Sequence, residues 1–317
     1  MISSLELAKL CGVSQGTVDR AIHGRPGVSA ATRDKILAMA AEHGYRPHPA
    51  AKELLSGKSN ILGMLVPAMN SVFFMDFMQV VKEACDDFGL RLFISPVADK
   101  VEFIEALDDF AARRVRAILA IPPEENIQIP AHLVNSLPIA TLISPCENDV
   151  VPFFAPNEQF TGVDAAAYLA DKGHRRILHV TYHRQACGII ERQAGYVSEM
   201  TSRGLQPKVC VFSDLLSTVA SYQPTAIFCH NDWLAIRVMR ALQENGVSVP
   251  GDVSILGVDN SPTFNRFQSD ITTMTYPMAE IAQKSVRWLA EGVDERPISR
   301  LQIAEKSTVI NVKKGKL

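Results

Sequence analysis

Beyond residue 60 the chain alternates short apolar runs with longer stretches of helical periodicity. The apolar runs have the length of buried strands, and most are followed by segments whose apolar residues recur three and four positions apart. We predict strands at 61–66, 90–95, 117–121, 139–143, 177–181, 209–212, 226–229 and 254–258. We predict helices at 74–88, 102–113, 157–172, 188–203 and 232–245. This alternation is typical of a doubly wound α/β fold with parallel sheets.

The predicted strands are too many for one comfortable sheet, which favours two similar lobes with a cleft between them. We assign residues 61–317 to this two-lobed domain. The first lobe comprises about 61–155 plus 278–303, and the second about 156–277 plus the carboxyl terminus. Ligands of such folds gather at the carboxyl ends of the strands, so polar side chains at those ends are candidates for a binding site.

Residues 1–48 have a different pattern and predict a small all-α domain of three short helices. Ser4, Ser14 and Ser29 stand where helix caps are expected. Gly12 supplies the left-handed residue that a sharp stop after the first helix needs. The second helix has an apolar inner face and a small, polar outer face formed by Gln15, Gly16, Asp19 and Arg20.

Such an outer face suits a helix that reads the major groove of DNA, since Gln can pair with adenine, Arg with guanine and Asp with cytosine. The same pattern also fits a helical bundle without a partner, or a module that docks protein. The charge of this segment slightly favours DNA binding over the other two interpretations. Residues 1–60 carry eight Lys and Arg against five Asp and Glu, a net charge of +3, whereas the whole chain carries −2.

Several independent motifs stand in order along nearly the whole chain. They comprise the helix pair around Gly12-Val13-Ser14, Gly44-Tyr45-Arg46-Pro47, the segments 50–60 and 61–67, Asn70-Ser71-Val72-Phe73-Phe74, Gly173-His174-Arg175-Arg176-Ile177, Arg192-Gln193-Ala194-Gly195-Tyr196, Asn231-Asp232 and Gly257-Val258-Asp259. In these motifs the chain resembles the LacI/GalR family of bacterial repressors. The resemblance implies a helix-turn-helix DNA-binding domain at 1–48, a hinge-helix linker at 49–60 and a periplasmic-binding-protein-like effector and dimerisation domain at 61–317.

Gln15 and Arg20 are the strongest candidates for base reading, and Thr17 for a phosphate contact. Two positions depart from the family's usual pattern. Asp19 replaces Ser or a similar residue, and an acid near phosphates is repulsive unless a base amino group or a neighbouring Arg pairs with it. Gly16 removes a contacting side chain and lowers helix propensity by roughly 1 kcal/mol. The predicted DNA-contacting residues of this domain are Ser14, Gln15, Gly16, Thr17, Asp19, Arg20 and His23.

The linker is too short to be a stable helix alone. By the resemblance, the linkers of a dimer pair on DNA as hinge helices in the minor groove, where a leucine wedges into the central base step. The corresponding leucine is Leu54, with Ala51 one turn earlier.

Candidate effector ligands follow from strand ends and from the resemblance. Asn231 and Asp259 each follow or end an apolar strand, and the resemblance has both bind effector hydroxyls. Phe73 and Phe74 can stack on an apolar sugar face, although one of them can equally be core. Arg192 resembles the family's ligand-binding arginine, whereas composition alone favours an ion pair with a nearby acid. The full predicted set is Asn70, Phe73, Phe74, Arg192, Asn231, Asp259 and Tyr276.

Two neighbouring positions qualify this set. Asp232 is interpreted as the cap of a helix beginning at Trp233, a structural role rather than a ligand role. The fourth strand ends in Ile143-Ser144-Pro145, where many relatives place an acidic residue. The effector is therefore predicted to be an unusual sugar, a polyol, a sugar acid or another small molecule.

Composition excludes several other classes. The chain has no apolar stretch long enough to span a bilayer and no signal peptide, which predicts a cytoplasmic protein. The six cysteines show no CxxC pair and no metal-like clustering, which favours reduced, buried thiols. We find no P-loop, no GxGxxG motif and no metal-ligand spacing, and the adjacent Cys229 and His230 point to opposite faces of a strand. We therefore expect no enzymatic activity, no metal and no cofactor.

Together these features predict a homodimeric transcriptional repressor that binds a pseudo-palindromic operator and is released by a small, sugar-like effector. A corepressor acting on the same scaffold is one alternative. A cytoplasmic sugar receptor without sequence-specific DNA binding, or an architectural DNA protein, is another. The carboxyl terminus has no apolar heptads, so a coiled-coil tetramer is not expected.

Overall fold

A computed structural model describes residues 2–46, 59–67, 71–183, 186–267 and 270–312. The chain divides into two compact units, Met1–Ser59 and Asn60–Leu317. Within the described ranges, no helix is long and apolar enough to cross a membrane. All six cysteines are free, and Cys11, Cys85 and Cys229 are buried.

The first unit contains three helices, α1 (Ser4–Cys11), α2 (Gln15–Ile22) and α3 (Ala30–Glu42). Their inner faces close a small core of Leu7, Ala8, Cys11, Val18, Ala21, Ile36 and Ala40. The three predicted helices are therefore present, and the apolar inner face predicted for α2 is the buried one.

Serine caps begin all three helices. Ser14 accepts from the Thr17 amide, and Ser29 caps α3 in the same way, as predicted. The prediction of Ser4 as the first cap was wrong by one residue. Ser3 caps α1, because the Glu6 carboxylate returns a hydrogen bond to the Ser3 amide and completes a capping box. Gly12 ends α1 at φ +68°, the left-handed conformation that its position predicted.

The second unit begins with a five-stranded sheet. Its elements in chain order are β1 (Ile61–Val66), α4 (Val72–Asp87), β2 (Arg91–Pro96), α5 (Lys100–Ala112), β3 (Ala117–Ala120), α6 (Ala131–Val134), β4 (Ile139–Leu142) and β5 (Phe153–Phe154). The strand order is β2-β1-β3-β4-β5, and every neighbouring pair is parallel. This sheet forms the first lobe.

A six-stranded sheet forms the second lobe. Its elements are α7 (Glu158–Asp171), β6 (Ile177–Thr181), α8 (Cys187–Ser202), β7 (Lys208–Val211), α9 (Leu215–Tyr222), β8 (Ala226–Cys229), α10 (Asp232–Glu244), β9 (Ser254–Asp259), α11 (Pro262–Asn265) and β10 (Thr272–Thr275). The chain then forms α12 (Met278–Glu291), which packs against α4, β3, β4 and β5 of the first lobe. It returns as β11 (Gln302–Ala304), antiparallel to β10, at the edge of the order β11-β10-β9-β8-β6-β7.

The predicted fold class is confirmed, and each predicted strand and helix is present with ends shifted by a few residues. Sequence patterns missed β5, β10, β11, α6, α9, α11 and α12. The assignment of residues 302–303 to the first lobe was wrong, since Gln302–Ala304 pairs with β10 of the second sheet. Strands β5 and β11 have only two and three residues, which is too short for periodicity to register.

Helices α7 and α8 pack unusually closely because each presents a glycine to the other. A Cβ on Gly162 would lie 1.9 Å from the carbonyl oxygen of Arg192. A Cβ on Gly195 would lie 1.9 Å from the carbonyl oxygen of Gln159. This contact holds the first turns of α7 against the middle of α8 and sets the position of Arg192.

Candidate functional site

A cavity of about 370 Å³ lies within the second unit, at the carboxyl ends of strands from both lobes. Its walls come from the start of α4, the end of β6, the start of α10 and the segment after β9. The described residues that line it are Ser71, Val72, Phe73, Tyr182, Asn231, Asp232, Trp233, Asp259, Ser261 and Phe264. The cleft expected from the doubly wound pattern therefore exists in the expected place.

Asn231 and Asp232 are held by hydrogen bonds from residues in or next to the surrounding strands. Asn231 is the cap of α10, since its Oδ1 accepts from the Leu234 amide at 3.0 Å and from the Tyr182 hydroxyl at 2.9 Å. The prediction that Asp232 is that cap was wrong, because the helix begins one residue earlier. Asp232 is 3% exposed and accepts from the Asn260 amide at 2.9 Å and from Thr273 Oγ1 at 2.6 Å. It thus ties β9 and β10 to α10, a structural role as predicted, although it also lines the cavity.

Asp259 is the last residue of β9 and has an unusual conformation. Its φ is +127°, and Asn260 follows at +51°, so two consecutive non-glycine residues occupy left-handed backbone. Among the described residues, the Asp259 carboxylate receives no hydrogen bond. Burial and the nearby Asp232 carboxylate raise the pKa of Asp259 well above its usual value. A strained, unpartnered carboxylate in a cleft is a feature of binding sites.

Arg192 lies in α8, behind the cavity wall. Its Nε and Nη2 donate to Glu158 Oε2 at 2.8 and 2.6 Å, and its Nη1 donates to the His230 carbonyl. The two side chains are only 5% and 8% exposed. Composition favoured an ion pair with a nearby acid, and the structure forms one with Glu158. The ligand role that the resemblance gives to Arg192 stays a prediction.

The aromatic residues divide between wall and core. Phe73 lines the cavity and packs edge-on against Tyr276, with ring centroids 5.2 Å apart. Phe74 packs on the core next to Phe73, which is the alternative considered for one of the pair. Tyr276 is 5% exposed, and its hydroxyl finds no partner among the described residues.

Of the predicted effector ligands, the structure brings Phe73, Asn231 and Asp259 together around one cavity. Phe74, Arg192 and Tyr276 lie behind its walls. Asn70, like Ala51 and Leu54 of the linker, lies outside the described residues. Roles in binding remain predictions for all of them. Sequence reasoning missed Glu158, Ser71, Val72, Tyr182, Trp233, Ser261 and Phe264.

Some of the missed residues carried a signal. Tyr182 directly follows β6, and Asn231 lies just beyond the end of β8. The expectation that polar side chains at the carboxyl ends of the strands line the binding site therefore applied to Tyr182 as well. Trp233 follows Asn231-Asp232 and is 57% exposed, but an isolated tryptophan gives no sign of its surroundings. Glu158 is set opposite Arg192 only by the close packing of α7 on α8.

A buried carboxylate joins the two lobes beside the cavity. Asp76, in α4 of the first lobe, accepts from the Ser261 hydroxyl and from the Thr263 amide and hydroxyl at the start of α11. The amide contact is 3.0 Å, and Asp76 is 9% exposed. Because Ser261 also lines the cavity, one residue touches both the cavity and the contact between the lobes.

A larger cavity of about 750 Å³ opens at the opposite, amino-terminal edge of the second sheet. Several of its polar side chains are hydrogen-bonded within the protein. Both ring nitrogens of His174 are hydrogen-bonded, to Thr225 Oγ1 at 3.1 Å and to the Ile310 carbonyl at 3.0 Å. Arg176 Nε donates to the Gln223 carbonyl at 2.7 Å. The smaller cavity, with its unpartnered carboxylate, is the better candidate for ligand binding despite its size.

In the first unit, the outer face of α2 is exposed at Gln15, Gly16 and Arg20. Asp19, the acid expected to be unfavourable near phosphates, pairs within its own unit. Its carboxylate lies 2.9 Å from Arg25 Nη1 and 3.0 Å from His23 Nδ1. A neighbouring Arg was one of the two partners considered for Asp19, and the structure supplies it.

Comparisons with known proteins match both units. Residues 5–48 match the model of bacterial regulatory proteins of the lacI family, and residues 166–311 match that of the periplasmic binding protein-like domain. The chain is 27% identical over 314 residues to an HTH-type transcriptional repressor PurR of Vibrio parahaemolyticus, covering 93% of each. It is 27% identical over 309 residues to a ribose operon repressor of Haemophilus influenzae, covering 92% of each.

The fold has a close counterpart among solved structures. The Lac repressor dimer bound to operator and the anti-inducer ONPF matches 98% of this chain and 99% of its own, with a TM-score of 0.85 and 21% identity. At that identity the match establishes the fold. The two family models and the repressor relatives agree with the resemblance to LacI/GalR repressors that the sequence motifs indicated. The chain therefore combines an amino-terminal domain that matches the lacI-family model of bacterial regulatory proteins with a periplasmic-binding-protein-like domain, and the relatives that it matches over more than 90% of their length are transcriptional repressors.

Proposed function

We propose that the protein is a repressor that binds a pseudo-palindromic operator as a homodimer and responds to a small effector held in the 370 Å³ cavity. The observation that carries this proposal is the presence, on one chain, of an exposed reading helix and a cleft with an unpartnered carboxylate. Operators are met in the cytoplasm, and we propose that location for the protein.

The reading surface is the outer face of α2. Its N-terminal residue Gln15 is exposed, and its side chain donates only to Ser4 Oγ at 2.7 Å, a surface contact that DNA can displace. Arg20 Nε donates to the Gly16 carbonyl at 3.1 Å, which leaves the terminal guanidinium nitrogens available. Gln15 and Arg20 are therefore proposed to read bases, with Thr17 at a phosphate.

A second copy of the chain is proposed to cover the free edge of the first sheet. The edge strand β2 exposes Phe93 by 47% and Ile94 by 40%, and Met75 of α4 is 49% exposed. Large apolar residues on an open strand edge favour association. Sedimentation of the wild type as a dimer, and of Phe93→Ser as a monomer, is the expected result. A monomeric wild type would contradict it.

Effector response requires that the ligand bind two conformations differently. The contact of Asp76 with Ser261 provides a route, because the cavity wall and the lobe contact share Ser261. A ligand that moves Ser261 alters how the lobes close. Inducer and corepressor use the same parts, so the sign of the response is left to experiment.

The first test is selection of genomic DNA fragments by the purified protein at moderate salt, followed by sequencing. Moderate salt is needed because phosphate contacts alone retain any sequence at low salt. A recurrent palindrome with half-sites about one helical turn apart is expected. Absence of a motif, with and without pools of small metabolites, would refute the repressor function.

The predicted linker contact has its own test. If Leu54 wedges into the operator, Leu54→Ala weakens binding to the selected palindrome while leaving non-specific binding unchanged. Leu55→Ala is the matched control, since it removes the neighbouring leucine. Unchanged operator affinity in Leu54→Ala would remove the hinge from the proposal.

A further inference from the structure

The walls of the 370 Å³ cavity combine two carboxyl groups with aromatic surface. Burial raises the pKa of the Asp259 carboxyl, and a cationic ligand beside it favours its ionised form. Four of the ten described wall residues are aromatic, namely Phe73, Tyr182, Trp233 and Phe264. Two more are the carboxylates Asp232 and Asp259, and none of the described wall residues is Lys, Arg or His. Among the described wall residues, a ligand therefore meets carboxyl groups and aromatic rings rather than cations.

The two carboxylates differ in what they offer. Asp232 accepts hydrogen bonds from Thr273 and Asn260, so its lone pairs are already engaged. The Asp259 carboxylate receives none from the described residues. Asp259 is half-buried and lines the cavity, so a ligand that donates to its carboxylate forms a hydrogen bond that the described residues do not make.

The buried guanidinium of Arg192 already has partners. Arg192 directs three of its nitrogens to Glu158 and to the His230 carbonyl, and Glu158 neutralises its charge. An anionic ligand would have to displace Glu158, leaving that carboxylate buried and unpaired. Phosphates and sugar acids are therefore poorly matched to this cleft.

The aromatic walls are suited to a cation. Aromatic faces attract cations, with tryptophan the strongest, and the effect grows when the site is desolvated. Tyr182 is fixed by the hydrogen bond from its hydroxyl to Asn231 Oδ1 at 2.9 Å. A volume of about 370 Å³ lies near the lower end of ligand pockets and limits the ligand to a compact molecule.

We propose that the effector is a compact molecule bearing an amino group, which pairs with Asp259 while its apolar surface lies against Phe73, Tyr182 and Trp233. This inference rests on the proposed function, since it names the class of molecule to which the regulator responds. It narrows the effector from sugars, polyols and sugar acids to amines, amino sugars among them.

The test uses the protein's own fluorescence. The chain has two tryptophans, and Trp233 lines the cavity, so Trp288→Phe leaves a single reporter at the site. Full-length Trp288→Phe protein is titrated with two matched sets of probes. One set is glucosamine, glucose and glucuronate, and the other is cyclohexylamine, cyclohexanol and cyclohexanecarboxylate.

In at least one set, the amine is expected to bind about tenfold or more tightly than its neutral analogue, a difference of about 1.4 kcal/mol, because its ammonium group carries the charge opposite to that of the Asp259 carboxylate. The acid is expected to bind most weakly. Asp259→Asn should abolish the preference for the amine. Asp149→Asn removes the same charge from an exposed position and should leave the preference intact.

Three results would overturn the inference: neutral or acidic probes that bind as well as the amines, amines that do not bind at millimolar concentrations, or an amine preference that survives Asp259→Asn. The titration uses no DNA, whereas the operator selection uses no probe. Failure of the cleft inference is thus distinguishable from failure of the repressor function. Folding of each variant is checked by circular dichroism.

Discussion

Replacing Glu158 by alanine leaves the buried Arg192 cation without its counter-charge, and the resulting loss of stability can be estimated from the structure. Glu158 is the only carboxylate among the described residues that bonds to the Arg192 guanidinium. With the side chains 5% and 8% exposed, little water reaches either group. In Glu158→Ala, Arg192 keeps the His230 carbonyl but loses the charge that balances its own.

The expected loss is large for a single substitution. Removing one member of a buried ion pair costs about 3–5 kcal/mol, because the remaining charge is left uncompensated. For a unit of this size, each kcal/mol shifts Tm by about 2–4 °C, so a fall of about 10 °C is expected. The double variant Glu158→Leu/Arg192→Met replaces both charges with apolar groups and should recover most of the loss. About 1 kcal/mol should remain, because the His230 carbonyl loses its donor.

Urea unfolding followed by tryptophan fluorescence measures this effect in the relevant unit, because both tryptophans lie beyond residue 60. Protein concentration is held constant, since association stabilises the folded state. A loss below about 1 kcal/mol in Glu158→Ala would mean that Arg192 reaches water or another partner, contrary to its 5% exposure. A double variant as unstable as the single one would attribute the loss to packing rather than to charge.

Three further predictions concern other parts of the chain. Gly195→Ala places a Cβ against the backbone of α7 and should lower the free energy of unfolding by about 3 kcal/mol. Gly188→Ala in the same helix is the control and should be nearly neutral, because its Cβ would lie 3.6 Å from Glu158 Cγ. The pKa of His179 is lowered from 6.5 to about 3 by burial, so only the unfolded chain gains this proton as pH falls from 6.5 towards 3. Wild type should therefore lose about 1.4 kcal/mol of stability per pH unit in that window relative to His179→Gln, and parallel stability curves for the two proteins would contradict this. Arg20→Ala should reduce discrimination between the selected operator and random DNA by about 1–3 kcal/mol in competition binding, and unchanged discrimination would exclude Arg20 from base reading.

The hydrophobic pattern of the sequence predicted the helices and strands that are long enough and have a clearly buried apolar face. Strand β1 is a continuous apolar run, and α10 has a clear apolar stripe, so both were located to within a few residues. Strands β5 and β11 have two and three residues. They form only because a neighbouring strand provides backbone hydrogen-bond partners. Such pairing is a property of the sheet and leaves almost no trace in the local sequence.

The site was predictable where it depends on strand ends, and unpredictable where it depends on packing. Asn231 and Asp259 were identified because polar residues at the carboxyl ends of parallel strands converge. The partnership of Arg192 with Glu158 depends on two glycines that bring α7 and α8 into contact, and no local pattern names the acid. The helix start was predicted one residue too late, so the cap was assigned to Asp232 instead of Asn231, because either side chain can cap a helix.

The cavity and the joint between the lobes share a helix and a loop, which gives ligand binding a direct effect on lobe geometry. Helix α4 contributes Phe73 to the cavity wall and, one turn later, Asp76 to the contact with α11. Ser261 belongs to both surfaces. We therefore expect a molecule that displaces Phe73 or Ser261 to change the distance that the Asp76 hydrogen bonds must span. A ligand that favours one lobe arrangement over another through this contact would shift the equilibrium between them.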